Sequence, residues 1–398
     1  MKIFEINSCR GGSTGGIMEG IATLARKNGI EAVTASPRSR ETLGMKNTDE
    51  HFFFGPWLSV AAASRMAYIT GYDGRAARLA TYSLIRKIEK ESPDIIHLHN
   101  LHNSVVNLPV FFKWLKKSRI KTVWTLHDCW AFTGHCPYFC MADCRRWENG
   151  CGKCPQYGEY PAASRDRTAR LFEMKKRLYG EGLDLTLVCP SQWLAGEVKK
   201  SFLGAYPTRV IYNGIDLSVF KAEGEAQREA GKYTVLGVAS PWSRRKGTDV
   251  FARLPELLGD KYRVVAVGTD ERTESELPDS VVKIRRTESR EKLASLYRGA
   301  DVFANPTRDE ALGLVNAEAN ACGTPVVTFD SGGSPECISE KSGISVARDD
   351  IASFVAAIKD VCENNIFRRS DCAKNAERFD GAARFAEYID LYGEIYNE

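Results

Sequence analysis

Short runs of β-branched and apolar residues alternate along this chain with longer segments of helical period. That alternation restricts it to parallel sheets joined by crossover helices. Strands are expected at Lys2–Ile6, Glu31–Ala35, Asp94–His99, Thr122–His127 and Leu185–Ser191, and helices at Ile17–Asn28, Val106–Ser118, Ser164–Tyr179 and Gln192–Phe202. After Pro207 and the polar stretch Asp216–Lys232, which read as hinge and linker, the pattern restarts. It predicts strands at Thr234–Ser240, Tyr262–Gly268, Val281–Arg285, Asp301–Asn305 and Pro325–Thr328, with helices at Thr248–Leu258, Ser289–Arg298 and Leu314–Ala321.

A chain of 398 residues exceeds what one core usually organises. The expected division is a Rossmann-like domain over residues 1–207, with a cysteine-rich insert near 129–155, and a second over 208–378. Phe385, Ile389, Tyr392 and Tyr396 recur at three- and four-residue steps, so residues 379–398 read as a last helix that packs back on the first domain. In such doubly wound domains, ligands are expected at the carboxyl ends of the strands.

Composition narrows the class. The apolar fraction of 43% and charged fraction of 27% are those of a globular protein. No secretory signal or membrane span is read, so a cytoplasmic protein is expected. Charge is uneven: residues 1–207 hold 29 Lys/Arg against 19 Asp/Glu, and the remainder 26 against 32. A basic first half suits either an anionic membrane or lipid-linked diphosphate, or simply a solvated surface. The basic run Lys113 to Lys121, beside Phe111, Phe112 and Trp114, has the same two readings. No aromatic platform interleaves with the cations, which argues against nucleic acid.

Three loops carry chemistry. The first, Arg10-Gly-Gly-Ser-Thr-Gly-Gly16, follows the opening strand and precedes a helix, where backbone amides can meet a phosphate. It is not a clean dinucleotide fingerprint, and Ala35-Ser36-Pro37 offers no acid for a ribose. The second, Trp242-Ser-Arg-Arg-Lys-Gly247, sets cations at a strand end, where they could stabilise a leaving diphosphate. In the third, Glu310 precedes a helix and Glu318 is expected about two turns inside it. Both carboxylates could accept from sugar hydroxyls, and amides near Gly313, Leu314 and Val315 could bind phosphate. Taken singly, each loop is equally a turn, a cap or a solvated acid.

Taken together and in order, the loops resemble retaining glycosyltransferases of family 4. Asn213-Gly-Ile-Asp216, Arg244/Lys246-Gly247, Asn305-Pro306, Glu310 with Glu318, Ala321-Cys-Gly-Thr-Pro325 and Gly332-Gly-Ser-Pro-Glu336 fall where that family's motifs fall. In the first half the match is confined to Gly15-Gly16 and Thr125-Leu-His127-Asp128. The resemblance implies a GT-B fold: two Rossmann-like, doubly wound domains facing a central cleft. It implies transfer of a sugar, with retention, from a nucleotide-diphosphate donor (a UDP- or GDP-sugar) to a glycan or lipid-linked acceptor. Gly15 and Gly16 would approach the donor phosphates and His127 the transferred sugar. Lys246 with Arg244 or Arg245, Arg244 being favoured, would neutralise the departing diphosphate. Glu310 would hold donor-sugar hydroxyls, Glu318 the ribose, and Gly313, Leu314 and Val315 the phosphate. No catalytic divalent metal is implied.

Six cysteines fall between Cys129 and Cys154. Cys136-x7-Cys144-x6-Cys151-x2-Cys154 ends in the knuckle of structural zinc sites. It also resembles a subgroup of the family associated with colanic-acid and other exopolysaccharide assembly, in which a His-Asp-x-Trp-x-x-Thr-Gly-x-Cys run precedes three further cysteines. The resemblance implies polysaccharide (capsule or exopolysaccharide) biosynthesis, and with the basic first half the inner face of the cell membrane is the expected place of work. Disulfides, thiols and an iron–sulfur cluster are the other readings of the four. His97, His99 and His102 could suggest a metal centre; His97 and His99 are instead expected as strand-end residues on opposite sides of the sheet. Two other functions compete: a sugar-nucleotide epimerase or hydrolase of the same fold, and a non-catalytic nucleotide-sugar-binding subunit.

Overall fold

The computed structural model describes all 398 residues and divides into two compact units. The first comprises Met1–Tyr212 with Arg384–Glu398, and the second Asn213–Ala383.

The first unit runs β1 (Lys2–Ile6), α1 (Gly12–Lys27), β2 (Glu31–Pro37), β3 (His51–Phe54), α2 (Trp57–Thr70), α3 (Arg78–Glu91), β4 (Ile95–Leu98), α4 (Leu108–Ser118), β5 (Lys121–Thr125), α5 (Thr168–Tyr179), β6 (Leu185–Cys189), α6 (Gln192–Lys200) and β7 (Thr208–Val210). Its seven strands are ordered β3-β2-β1-β4-β5-β6-β7, all parallel. β4 is buried throughout and β1 beyond its first residue, because helices cover both faces of the sheet. β7 belongs to this sheet, beyond residue 207, at which the sequence reading divides the chain. Side-chain caps start some helices: the Asn107 side chain accepts from the Val110 amide at α4, and Ser191 from the Leu194 amide at α6.

The second unit runs β8 (Tyr233–Val238), α7 (Thr248–Leu258), β9 (Tyr262–Val267), α8 (Glu271–Glu276), β10 (Val281–Ile284), α9 (Arg290–Gly299), β11 (Val302–Asn305), α10 (Leu314–Ala321), β12 (Val326–Asp330), β13 (Gly343–Ala347), α11 (Ile351–Asn364) and α12 (Arg369–Ala376). Six parallel strands are ordered β10-β9-β8-β11-β12-β13. A core of Val235, Phe251, Leu254, Val264, Phe329 and Phe354 fills the space between this sheet and helices α7 and α11.

The last helix, α13 (Gly381–Asn397), lays Tyr388, Leu391, Tyr392 and Ile395 against Ile3, Ile17, Ile95 and Val123 of the first unit. The stripe read from the sequence is thus turned: Phe385 and Ile389 are only partly buried, and Tyr396 is exposed. α2 has no core stripe at all. Only Ala63 is buried, while Leu58, Met66, Tyr68 and Ile69 face solvent, so apolar periodicity could not reveal it as a helix.

Candidate active site

Each sheet reverses its strand order at one point, β1/β4 in the first unit and β8/β11 in the second. The carboxyl ends of strands at such a point form the natural ligand crevice of a doubly wound sheet. The residues singled out from the sequence gather at these two places.

In the first unit a buried hydrogen-bond chain starts in the middle of the sheet. Glu5 on β1 lies in register with His97 on β4. Glu5 Oε2 stands 3.1 Å from His99 Nε2, and His99 Nδ1 stands 3.0 Å from His127 Nε2. His97 belongs to a branch, with Nδ1 2.6 Å from the Tyr392 hydroxyl and Nε2 2.8 Å from Thr125 Oγ1. Glu5, His97 and His99 have no exposed surface. The expectation that His97 and His99 face opposite sides of the sheet is wrong. Residues two apart on a strand share a face, and their rings lie 4.2 Å apart.

Burial holds His97, His99 and His127 each at about 3, so all three are neutral near pH 7. Burial pushes the Glu5 carboxyl up. Glu5, His97 and His99 also bring three ligand atoms within 4.8 Å. Both nitrogens of both rings already have hydrogen-bond partners, however, so the group serves as a polar network. At the outer end of the chain, His127 Nδ1 is buried without a partner.

Gly15 and Gly16 lie inside α1, which begins at Gly12 and not at Ile17 as read from the sequence. Gly15 is required by packing, since a Cβ there would lie 2.2 Å from the Arg10 carbonyl oxygen. Gly16 is exposed, and a Cβ on it would meet nothing within 4 Å. Asn7 ties this helix start to the neighbouring loop: its amide donates to Thr14 Oγ1 and its carbonyl oxygen accepts from the Asn100 amide.

In the second unit, Arg244–Lys246 form a 3-10 turn after β8. Gly247 follows with φ +82°, and a Cβ there would strike Pro306 at 2.5 Å. This close approach brings the Lys246 ammonium into an ion pair with Glu310, both being partly buried. Burial works against the charge on Glu310, but Lys246 and Arg245 outweigh it and hold the carboxyl below its usual range. Arg245 donates to the Asp309 carbonyl at 2.7 Å and stands by the pair, whereas Arg244 is exposed and lies by Asp249. Of the two arginines, Arg245 is thus the one beside the Lys246–Glu310 pair.

α10 begins after Gly313, at φ +89°, with no side-chain cap and no acid in its first turn. The amides of Leu314 and Val315 thus open a helix start left free for an anion. Below it, a buried network of Asn305, Asn316, Ser334 and Thr328 holds the loop ends together. Glu318 is just over one turn into α10, not two. It accepts from the Tyr297 hydroxyl at 3.1 Å, and burial raises it to about 7.

Sequence reasoning gave Arg308 no role. It is buried and forks onto Asp249 at 2.7 and 2.8 Å, reaches Asp349 at 2.6 Å, and donates to the Arg244 carbonyl. It fastens the Lys246 turn to the Glu310 loop. An arginine inside an otherwise functional loop was the only signal available.

Cys136, Cys144, Cys151 and Cys154 fall in one neighbourhood of the insert between β5 and α5, without a disulfide among them. The Gly134 amide donates to Cys151 Sγ at 3.1 Å. The thiol of Cys136 hydrogen-bonds Cys154, pulling Cys154 down to about 7. The buried Lys175 ammonium donates to the carbonyls of Trp130 and Thr133, at 2.6 and 3.1 Å, and braces the insert.

Two family models match the chain: Glycosyltransferase Family 4 over residues 15–219, and Glycosyl transferases group 1 over residues 224–379. Among curated proteins, the chain is 27% identical over 76% of its length, and 77% of the other's, to the colanic acid biosynthesis glycosyl transferase WcaC of Escherichia coli K12, whose name carries that assignment as provisional. It is 30% identical to a D-inositol 3-phosphate glycosyltransferase of Corynebacterium kroppenstedtii, over 46% of this chain and 47% of that protein. Among solved structures, the sucrose-phosphate synthase of Thermosynechococcus elongatus matches with a TM-score of 0.75 at 18% identity, covering 100% of this chain and 99% of that one. Anabaena HepE in complex with UDP and glucose matches with a TM-score of 0.66 at 16% identity, covering 99% and 100%.

Proposed function

The chain belongs to glycosyltransferase family 4, and from that premise we propose that it transfers a hexosyl group, with retention, from a nucleotide-diphosphate sugar to a glycan or lipid-linked acceptor in polysaccharide biosynthesis. The observation that carries this reading is the Lys246–Glu310 pair, with Arg245 beside it, at the carboxyl ends of the two strands where the second sheet reverses. The uncapped start of α10 follows from the same loop.

In this reading Lys246, Arg245 and the amides of Leu314 and Val315 take the diphosphate, and their attraction grows as the anomeric C–O bond breaks and charge builds on the phosphate. Glu310 orients donor-sugar hydroxyls, and Glu318 hydrogen-bonds the ribose. The acceptor hydroxyl attacks from the leaving group's side, and its proton passes to the departing phosphate oxygen. A UDP-sugar as the donor is supported by the UDP named in the HepE structure. Gly16 lets the phosphates approach the start of α1.

Glu5 and His99 act on His127 as positioning residues. A neutral imidazole carries one hydrogen, so the hydrogens of the chain must all run the same way. An ionised Glu5 would keep a full charge at zero exposure with Oε1 unpartnered, so the neutral acid is the cheaper state. The hydrogens then run from Glu5 through His99 to His127, whose Nδ1–H faces the transferred sugar as a donor.

The deciding experiment is a panel of UDP- and GDP-sugars scored by release of free nucleotide. Lys246→Ala and Glu310→Ala are each expected to lower turnover by about 10²–10³-fold while the fold survives. Wild-type turnover in both variants removes the proposal.

Two additions have their own supports. Cys136, Cys144, Cys151 and Cys154 would hold a structural zinc ion that cross-links the insert; their gathering in one neighbourhood and the Gly134 amide on Cys151 Sγ suit sulfur ligands. About one zinc per chain, lost in Cys154→Ser, is the expected metal analysis, and metal-free protein with titratable thiols refutes the site. No helix is long and apolar enough to cross a membrane. A groove of about 750 Å³ between α3 and α4 is lined by Arg75, Arg78, Arg86, Lys113, Lys117 and Trp114, and Leu58, Leu79 and Tyr82 stand exposed on α2 and α3. That pairing of cations and apolar side chains supports peripheral binding to anionic lipid. Vesicles containing phosphatidylglycerol should sediment the protein at low salt, and equal binding to neutral vesicles overturns it.

A further inference from the structure

A second cavity in the first unit, of about 180 Å³, is walled by α2, by the loop after β4 and by the insert between β5 and α5. Two of its lining side chains end in buried polar atoms without partners, Asp73 Oδ2 and His135 Nε2. Their residues are only 6% and 4% exposed. Buried polar atoms of this kind are normally satisfied, and two in one small cavity indicate an occupant that completes them.

The fixed side of each residue shows what is missing. Asp73 Oδ1 already accepts from Ser104 Oγ at 2.7 Å and from the Gly74 amide at 2.8 Å, so the carboxylate is held with Oδ2 turned to the cavity. No lysine or arginine lines the wall. A carboxylate oxygen there accepts and does not donate, so it calls for hydroxyl hydrogens and repels a phosphate. Tyr68 and Tyr160 also line it, adding aromatic carbon beside the polar pair. The Tyr160 hydroxyl is itself engaged: the Asn103 amide donates to it at 2.8 Å, and it stands 3.3 Å from His102 Nδ1. His102 Nε2 in turn lies 3.3 Å from Asp128, the residue after His127. The volume falls below the ~300 Å³ at which drug-sized pockets begin, so it suits one ring rather than an oligosaccharide.

We propose that this cavity is a subsite for one neutral sugar ring of the acceptor, its hydroxyls meeting Asp73 and His135 and its apolar face Tyr160. The idea rests on the glycosyltransferase reading for the word acceptor, but its binding chemistry stands on the cavity alone. It also gives the insert a function, since His135 and Tyr160–Ala163 are the insert's contribution to the wall.

The test uses the full chain and methyl glycosides of D-glucose, D-galactose, D-mannose and L-fucose, read by saturation-transfer NMR at up to ~10 mM, about tenfold above a millimolar Kd. At least one glycoside is expected to give a signal. Asp73→Asn turns the orphan acceptor into an amide donor, and Ala67→Leu fills the cavity from α2. Each is expected to reduce that signal at least about fivefold, with thermal unfolding checked for both. No signal with any glycoside, a signal that persists in both variants, or displacement of the glycoside by inorganic phosphate or methylammonium overturns the proposal. Nucleotide release from the donor panel is scored separately on the wild type. Glycoside binding without any turnover leaves the subsite standing and sinks the transferase reading, and turnover without glycoside binding does the reverse.

Discussion

His127 illustrates how much one side chain owes to residues far from it in sequence. Its Nε2 is taken by His99, which is taken by Glu5, 122 positions upstream of His127 in the chain. If Glu5 is the proton donor, ¹⁵N spectra of histidine-labelled protein at pH 7 should show both His99 and His127 as Nδ1–H tautomers. Nε2–H tautomers at both would reverse the direction of the chain and with it the role of His127 as a donor. Gly16 gives a second residue-scale expectation. Nothing in the chain's own packing needs a glycine there, and alanine favours a helix by up to about 1 kcal/mol. Gly16→Ala should therefore unfold no earlier than the wild type yet lose transfer by about tenfold or more. Full activity would remove Gly16 from the phosphate site. The glycine pair was visible in the sequence; which of the two is structural and which is open required the Arg10 carbonyl in its folded place.

Among the elements, the second unit's loops depend on Arg308. From the loop after β11 it reaches the turn after β8, the first turn of α7 just beyond it, and Asp349 ahead of α11, segments that lie 41 to 64 positions from it in the sequence. Arg308→Met keeps the length of the side chain and removes its hydrogen bonds, leaving Asp249 and Asp349 half-exposed to water. The expected cost is about 1–3 kcal/mol, with a fall in turnover, because Lys246 loses its support. Unchanged denaturant midpoint and turnover would mean that Gly247 and the buried asparagines hold the turn without it. The central strands were legible as apolar runs of the right length, since burial on both faces leaves no other composition. α2 was not, because its apolar residues face outward, and the strands β3, β7 and β13 at the sheet edges were missed, β7 and β13 being part-exposed.

For the molecule as a whole, the histidines distribute pH sensitivity unevenly, since all six lie in the first unit. His97, His99 and His127 sit at about 3, below the usual 6.5, so below pH ~6.5 the unfolded chain binds protons that the folded one refuses. Their contribution is complete above that pH and lost as pH falls towards 3, at a limiting slope of about 4 kcal/mol per pH unit for the three together, offset in part by Glu5, whose raised carboxyl works in the opposite sense. Six of the seven tryptophans are also in the first unit. Guanidinium unfolding followed by tryptophan fluorescence should shift to lower denaturant between pH 7 and 5. A flat midpoint would mean that these rings are not buried neutral.

The sequence alone determined the alternating elements, two parallel sheets and the positions of the loops that bear charge, because periodicity and loop chemistry are local and each is written in a few adjacent residues. Only the tertiary structure decided that Arg245 rather than Arg244 stands at Lys246, that Glu5 supports His127, that β7 joins the first sheet, and that Asp73 and His135 share one cavity. Those outcomes depend on strand register and on which backbone reaches which across the fold, and register is fixed by packing against residues that no local window contains.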